Sequence, residues 1–288
     1  MDVSRTRVDR PRSELGAWEM IGCDPAPRLR AHVHGYTGYV ENATRPLRRR
    51  EMPSGGVVLI ISFGPPIRIL DTANPTAPGE RSTSFVAGLD DAFTLTEHDG
   101  DQYGVQVDFT PLGAFQFFGL PMSALARRVV EFDDVFGSEA ARLSERLYES
   151  ASWDERFAIL DATIEAQLRK HLPASPDVAW AWRRLTETGG RLPIGALTEE
   201  LGCSRRYLST RFREQVGISP KTLARILRFD RVVRRLSQDA GGRLIEIAHG
   251  AGYYDQAHFN RDFRRFAGVT PSELLTLRLP DGGGFSSG

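Results

Sequence analysis

Two patterns of apolar spacing divide the chain. From Leu29 to Asp108 the apolar residues fall in short runs, HVHGYTGYVE, GGVVLIISFG, IRIL, STSFVAGL, AFTLTEH and YGVQVDF. These are rich in β-branched and aromatic side chains and are separated by Gly, Pro, Asp and Asn, a pattern that predicts strands. Several such strands in succession predict an antiparallel sandwich or a small barrel. Asp99-Gly100 lies between two of the runs and reads as a hairpin turn, because glycine accepts the positive φ needed there. After Pro111 the spacing changes to three and four. PLGAFQFFGL, SALARRVVEF, SEAARLSERLYES and WDERFAILDATIEAQLRKHL predict helices. Phe157, Leu160, Ile164 and Leu168 form one stripe, suited to packing on the β-rich part, with pairing to a second copy left open. HLPASPDVA, residues 171–179, reads as a linker. DGGGFSSG, residues 281–288, reads as a flexible tail.

The C-terminal part contains an internal repeat. Ile194, Leu197, Leu201 and Gly202 recur as Leu244, Ile247, Ala251 and Gly252, each 50 residues on. After a one-residue insertion, Ser204, Leu208, Phe212, Gly217 and Pro220 recur as Asp255, Phe259, Phe263, Gly268 and Pro271, each 51 on. Each unit reads as a short helix stopped by glycine, then a Ser or Asp N-cap, then a second helix with one apolar face. That is a helix-turn-helix. Ser219-Pro220 and Thr270-Pro271 read as an N-cap followed by a proline at the first helical position. Between the units, SPKTLARILRFDRVVRRLSQ predicts about 19 helical residues, a rod of roughly 28 Å, with Leu223, Ile226, Leu227 and Val233 on its packing side. Successive major grooves on one side of a duplex lie about 34 Å apart, so the rod suits two reading heads.

Charge sharpens this reading. The 288 residues carry no net charge, yet residues 177–288 hold 18 Lys and Arg against 12 Asp and Glu. A basic end on an acidic remainder points to a polyanion as partner of that end. The outward face of the first unit offers Arg205, Arg206, Ser209, Thr210 and Arg213. The second offers Gln256, Ala257, His258, Asn260, Arg261 and Arg264. Arg, Asn and Gln make paired hydrogen bonds to base edges, and Arg and Ser also hold phosphates.

With these residues in view, the segment from about Asp177 to Arg278 resembles the DNA-binding domain of AraC/XylS-type transcriptional regulators. SRRYLSTRFREQVGISP, the arginine-rich connecting helix and IEIAHGAGYYDQAHFNRDFRRFAGVTPSEL carry the resemblance, over slightly more than a third of the chain. The β-rich part with its trailing helices is similar, more weakly, to the cupin-like regulatory domain of that family. The resemblance implies an α+β protein of two domains: residues 1–170 sensory, regulatory or dimerising, and 180–280 all-α with two helix-turn-helix units. It implies Arg206, Ser209, Thr210, Gln256, Ala257, Asn260 and Arg261 as base-facing. Arg205, Arg213, Lys221, Arg264 and Arg265 are the candidate phosphate contacts. Double-stranded DNA is the partner implied, with a small-molecule effector, RNA polymerase and a second copy of the chain as further candidates.

Other chemistry finds little footing. His32, His34 and Glu41 lack the cupin metal spacing, and the glycine pair in PSGGVV fits no nucleotide-binding loop. No metal, cofactor or catalytic set is expected. Cys23 and Cys203 lie far apart with no metal-type spacing, which fits a reducing cytoplasm. The absence of a long apolar run argues against a membrane span. An N-terminal domain that accepts alkyl groups on Cys23, or one that serves assembly alone, are the competing readings.

Overall fold

The structure, a computed structural model, describes residues 5–238, 244–279 and 284–287. Eleven strands come first: β1 (Thr6–Asp9), β2 (Arg12–Ser13), β3 (Gly16–Cys23), β4 (Val33–Ala43), β5 (Leu47–Glu51), β6 (Val57–Ser62), β7 (Ile67–Leu70), β8 (Glu80–Ser82), β9 (Ser84–Ala87), β10 (Thr94–His98) and β11 (Asp101–Phe109). They are followed by α1 (Pro111–Phe118), β12 (Val129–Glu131), α2 (Phe132–Phe136), α3 (Ser138–Glu149) and α4 (Trp153–Lys170). The rest is helical, with α5 (Pro176–Glu187), α6 (Ile194–Glu200), α7 (Arg205–Val216), α8 (Pro220–Gln238), α9 (Leu244–Gly250), α10 (Gln256–Ala267) and α11 (Pro271–Thr276), before a last strand β13 (Phe285–Ser286). No described helix is long and apolar enough to cross a membrane.

The strands form two antiparallel sheets, ordered β1-β3-β4-β11-β6-β9-β12 (with β2 on β3) and β13-β5-β10-β7-β8. Their inner faces meet in a small apolar cluster of Tyr39, Ile60 and Phe85, with Met20 and Ile67 packed against it. Alternation along each strand sends the other residues outward. On the outer side Tyr36, Val105 and Val107 join the main core with α1 and α4.

Three expectations are corrected by the structure. Asp99-Gly100 does not close a hairpin: β10 pairs with β5 and β7, whereas β11 pairs with β4 and β6. The turn carries the chain from one sheet to the other. Gly100 takes φ +137° with its carbonyl accepting from Ala43 N, and an added Cβ would meet Ala43 O at 3.0 Å. The linker is shorter than nine residues. Helix α5 starts at Pro176, and Ser175 donates to buried Gln215 of α7 through both its backbone N, at 2.8 Å, and its Oγ, at 3.0 Å. The tail also bends back. Phe285 is buried and β13 pairs with β5; residues 281–283 and 288 of that expectation lie outside the described residues.

The stripe on α4 is spent inside the chain. Phe157, Leu160 and Ile164 are each 1% exposed, and the Phe157 ring stacks on Tyr36 at 5.8 Å. Buried Asp161 on the same helix accepts from Tyr36 Oη at 2.8 Å, Ala26 N at 3.1 Å and Arg5 at 2.9 Å, which pins α4 to the sheet.

Candidate DNA interface and barrel cavity

The two helix-turn-helix units are built by the same backbone chemistry. In the first, Gly202 takes φ +62°, its N–H donates to Glu199 O, and Cys203 N–H donates to Thr198 O at 3.1 Å. In the second, Gly252 takes φ +92°, its N–H donates to His249 O, and Tyr253 N–H donates to Ala248 O at 3.1 Å. Positive φ turns the chain while satisfying the last helix carbonyls. The N-caps follow: Ser204 Oγ accepts from Tyr207 N at 3.1 Å and Asp255 Oδ1 from His258 N at 2.6 Å. The inserted residue is Tyr254, which is 87% exposed. Thr270 and Glu273 close a reciprocal capping box on α11.

Helix α8 is the rod of 19 residues that the sequence predicts. Leu223, Ile226, Phe229, Val232 and Leu236 are buried along it. The Phe229 ring packs edge-on against Phe263 at 5.2 Å and tilted against Phe266 at 5.1 Å. Asp262 of α10, 3% exposed, takes a two-pronged pair of hydrogen bonds from Arg225 of α8, the shortest at 2.7 Å. Asp262 gives little sign of this in the sequence, where it sits in a run of arginines; its position four residues after His258 and one before Phe263 places it on the inner flank of the helix.

The candidate contacts are placed as follows. Arg206, Thr210, Gln256, Ala257, Asn260 and Arg261 are exposed and Ser209 is half-buried. Arg205, Arg213, Lys221, Arg264 and Arg265 are exposed too. Other arginines of this region are spent on structure: Arg184 on Glu200, Arg211 on Glu214, Arg225 on Asp262 and Arg234 on Asp230. Arg205, Arg206, Arg213, Lys221, Arg261 and Arg264 form no salt bridge among the described residues. Arg265 differs from them. It donates to Asp91 of the N-terminal domain at 2.6 Å.

Both units are held by the β-rich part. Helix α1 and the turn at Met122–Ala124 pack on α7. At α10, Arg50 of β5 donates to Ala267 O at 2.8 Å and stacks on Phe93 at 4.2 Å. A cation at the free carbonyls of a helix C-terminus is well placed. Asp91, 4% exposed, holds Arg127 at 2.9 Å as well as Arg265. Arg127 is the one non-glycine residue with positive φ among those described, at +59°, a conformation that costs roughly 1–2 kcal/mol.

Residues 197–276 match the family described as a helix-turn-helix domain, and residues 22–131 match a domain of unknown function, DUF6597. The first segment coincides with the two capped units described above. Residues 197–276 are an AraC-type helix-turn-helix domain. A similar curated protein is the raffinose operon transcriptional regulatory protein RafR of Pediococcus pentosaceus, 36% identical over 76 residues, or 26% of this chain. The chain spans 27% of that relative's length. Among solved structures, ToxT from Vibrio cholerae O395 is similar at 13% identity and TM-score 0.44, over 81% of this chain and 96% of that one. The C-terminal domain of AraT from Geobacillus stearothermophilus is similar at 27% identity and TM-score 0.34, over 37% of this chain and 88% of that one.

Beside the AraC-type domain, the two sheets, a flattened barrel, hold between them a cavity of about 250 Å³, just below the roughly 300–1,000 Å³ usual for small-molecule sites. One end is apolar, with Met20, Ile60 and Phe85. The other is polar, with Glu41, Arg49, His98 and Gln102. Glu41, 6% exposed, accepts from Trp18 Nε1 at 3.3 Å and Arg49 at 2.9 Å, and His98 Nε2 lies 3.3 Å away. Gln102 Oε1 and His98 Nδ1 are buried with no hydrogen-bond partner. His34 and Glu41 lie seven residues apart on β4, an odd offset that puts them on opposite faces, so they do not converge. No group of three or more His, Cys, Asp or Glu that could hold a metal is found among the described residues. A larger cleft of about 1060 Å³ opens between the β-rich part and the helices, but three carboxylates, Asp108, Asp230 and Glu246, and three arginines, Arg231, Arg234 and Arg235, line it together, with Arg234 paired to Asp230, so it favours neither sign of ligand. Cys23 is buried and its burial raises the thiol pKa, which opposes the thiolate that alkyl transfer needs.

Burial alone would raise the Glu41 pKa, but the neighbouring His98 imidazole and the Arg49 guanidinium outweigh it and hold the carboxyl below its ordinary value. A carboxyl depressed in the folded state contributes stability above its unfolded pKa of about 4.3 and loses it as pH falls through the folded value. The barrel is therefore expected to lose stability with acidification below about pH 4, by a smaller step in Glu41→Gln, as pH-dependent thermal melts of the two proteins would show.

Proposed function

We propose that the chain is a sequence-specific DNA-binding transcription regulator of the cytoplasm, reading two successive major grooves with α7 and α10 under control of the barrel domain. The observation that carries this is the pair of units capped at equivalent positions, joined by the 19-residue α8, on which Arg205, Arg206, Arg213, Arg261 and Arg264 form no salt bridge among the described residues while Arg211 and Arg225 do. Arg206, Ser209, Thr210, Gln256, Ala257, Asn260 and Arg261 meet bases in this reading. Arg205, Arg213, Lys221 and Arg264 hold phosphates. The stripe on α4 that would join two copies is buried, which supports a single chain as the reading unit. RNA polymerase, as a partner of the regulator at its site, stays part of the reading.

The control site is the barrel cavity. Its unpartnered Gln102 Oε1 and His98 Nδ1, opposite an apolar end, favour a small effector with a few polar groups and a hydrocarbon body. No described residue set favours catalysis, and the buried Cys23 thiol counts against the alkyl-acceptor alternative.

The test is selection of a random duplex pool with the full chain, followed by affinity measured against salt. A defined consensus is expected. These four phosphate cations predict log K falling with log salt at a slope of about −3.6, before any phosphate contact from Arg265 or the base-facing arginines is added. Enrichment of no sequence would refute the reading.

A further inference from the structure

Arg265 sits one turn after Arg261 on α10, four residues on and so on the same side of the helix. It is the candidate DNA cation that the structure shows engaged: its guanidinium meets the Asp91 carboxylate at 2.6 Å. The two partners are unequal. Asp91 is buried, with its side chain 6% exposed, whereas the Arg265 side chain is 54% exposed. Asp91 also has a second cation, Arg127, delivered by the backbone held at positive φ. The carboxylate thus stays neutralised if Arg265 leaves, while Arg265 has open solvent on its far side.

Asp91 lies between two residues of the cavity wall. Its neighbours Asp90 and Ala92 line the cavity, and Asp90 Oδ1 fixes the turn by accepting from the backbone N of both Asp91 and Ala92. The same alternation holds on β5, where Arg49 and Glu51 line the cavity and Arg50 between them grips Ala267 O at the end of α10. Two stretches of cavity wall therefore hold the C-terminal end of the second reading helix.

We propose that Asp91 stands in for a DNA phosphate on Arg265, so that Asp91 and DNA compete for this one guanidinium and the cavity wall restrains the second head. This rests on the regulator reading above. Carboxylate and phosphate present the same anionic oxygens to an arginine fork, and binding DNA exchanges one for the other with Arg127 left on Asp91.

The experiment compares the full chain as wild type, Asp91→Asn, Arg265→Ala and the double variant on the duplex that the wild type selects. Asp91→Asn is expected to tighten binding by roughly twofold to fivefold, as the loss of a competing ion pair does. Arg265→Ala is expected to weaken binding, and the double variant to match Arg265→Ala, because the gain needs Arg265. A folded Asp91→Asn that binds like wild type or more weakly overturns the proposal, as does a gain that persists without Arg265. Should Asp91→Asn fail to fold, amide exchange of residues 88–92 in the wild type decides. Faster exchange on adding DNA supports release, and unchanged or slower exchange overturns it. If the wild type selects no duplex, the regulator reading itself has failed; if it selects one and these outcomes go against Asp91, only the competition has.

Discussion

Replacing Arg261 or Asn260 with alanine is expected to weaken binding to a selected site by about 1–3 kcal/mol, or roughly 5- to 150-fold, and to relax the preference at the base pair each one reads. Both side chains are exposed on the outer face of α10, and Arg261 has no carboxylate to hold it back among the described residues. Arg264→Ala sets the control. It should weaken all sequences alike and reduce the salt slope by about one, because a phosphate contact carries no sequence information. Repeating the selection with each variant checks this. A consensus unchanged by both Arg261→Ala and Asn260→Ala would show that α10 does not face bases.

The second large effect is on the core of the same unit. Phe263 is fully buried, and its ring meets Phe229 of α8 at 5.2 Å and Phe259 at 5.5 Å. Phe263→Ala is expected to cost about 3–5 kcal/mol, because the rod and its neighbours collapse only partly into the cavity left behind. The unit has few other apolar groups to share the loss. Amide exchange in α10 should therefore accelerate at least about a hundredfold, and affinity for DNA should fall with it. Tyr254→Ala, five residues upstream of Phe259, the first core residue of this helix, removes a ring that is 87% exposed and should change stability by no more than about 0.5 kcal/mol. Equal protection of α10 in wild type and Phe263→Ala would contradict the packing described.

What could be read from the sequence followed from how local the physics is. Caps, helix-stopping glycines and the apolar faces of α7 and α10 depend on residues within one or two turns, so the 50- and 51-residue repeat exposed them directly. The rod α8 followed from an uninterrupted 3.6-residue period between two proline-marked starts. The strands were legible as strands, but their partners were not. Asp99-Gly100 has the composition of a hairpin, and only the pairing of β10 with β5 and β7 shows that it changes sheets. His98 reads as a polar residue beside a turn; that pairing is what buries it against Glu41. The grip on the second head was out of reach for the same reason. Asp91 and Arg265 are 174 positions apart, and Arg50 and Ala267 are 217 apart. Phe285, in a glycine-rich tail, gives no local sign that β5 will take it up as a neighbour.

Hydroxyl-radical footprinting of the full chain on its selected duplex tests the account most directly. Two heads on one rod predict two protected patches on the same side of the duplex, with centres about one helical turn, or roughly 10–10.5 base pairs, apart. Arg261→Ala should thin the patch under the second head and leave the first. A single patch, or two on opposite sides of the duplex, would contradict the account.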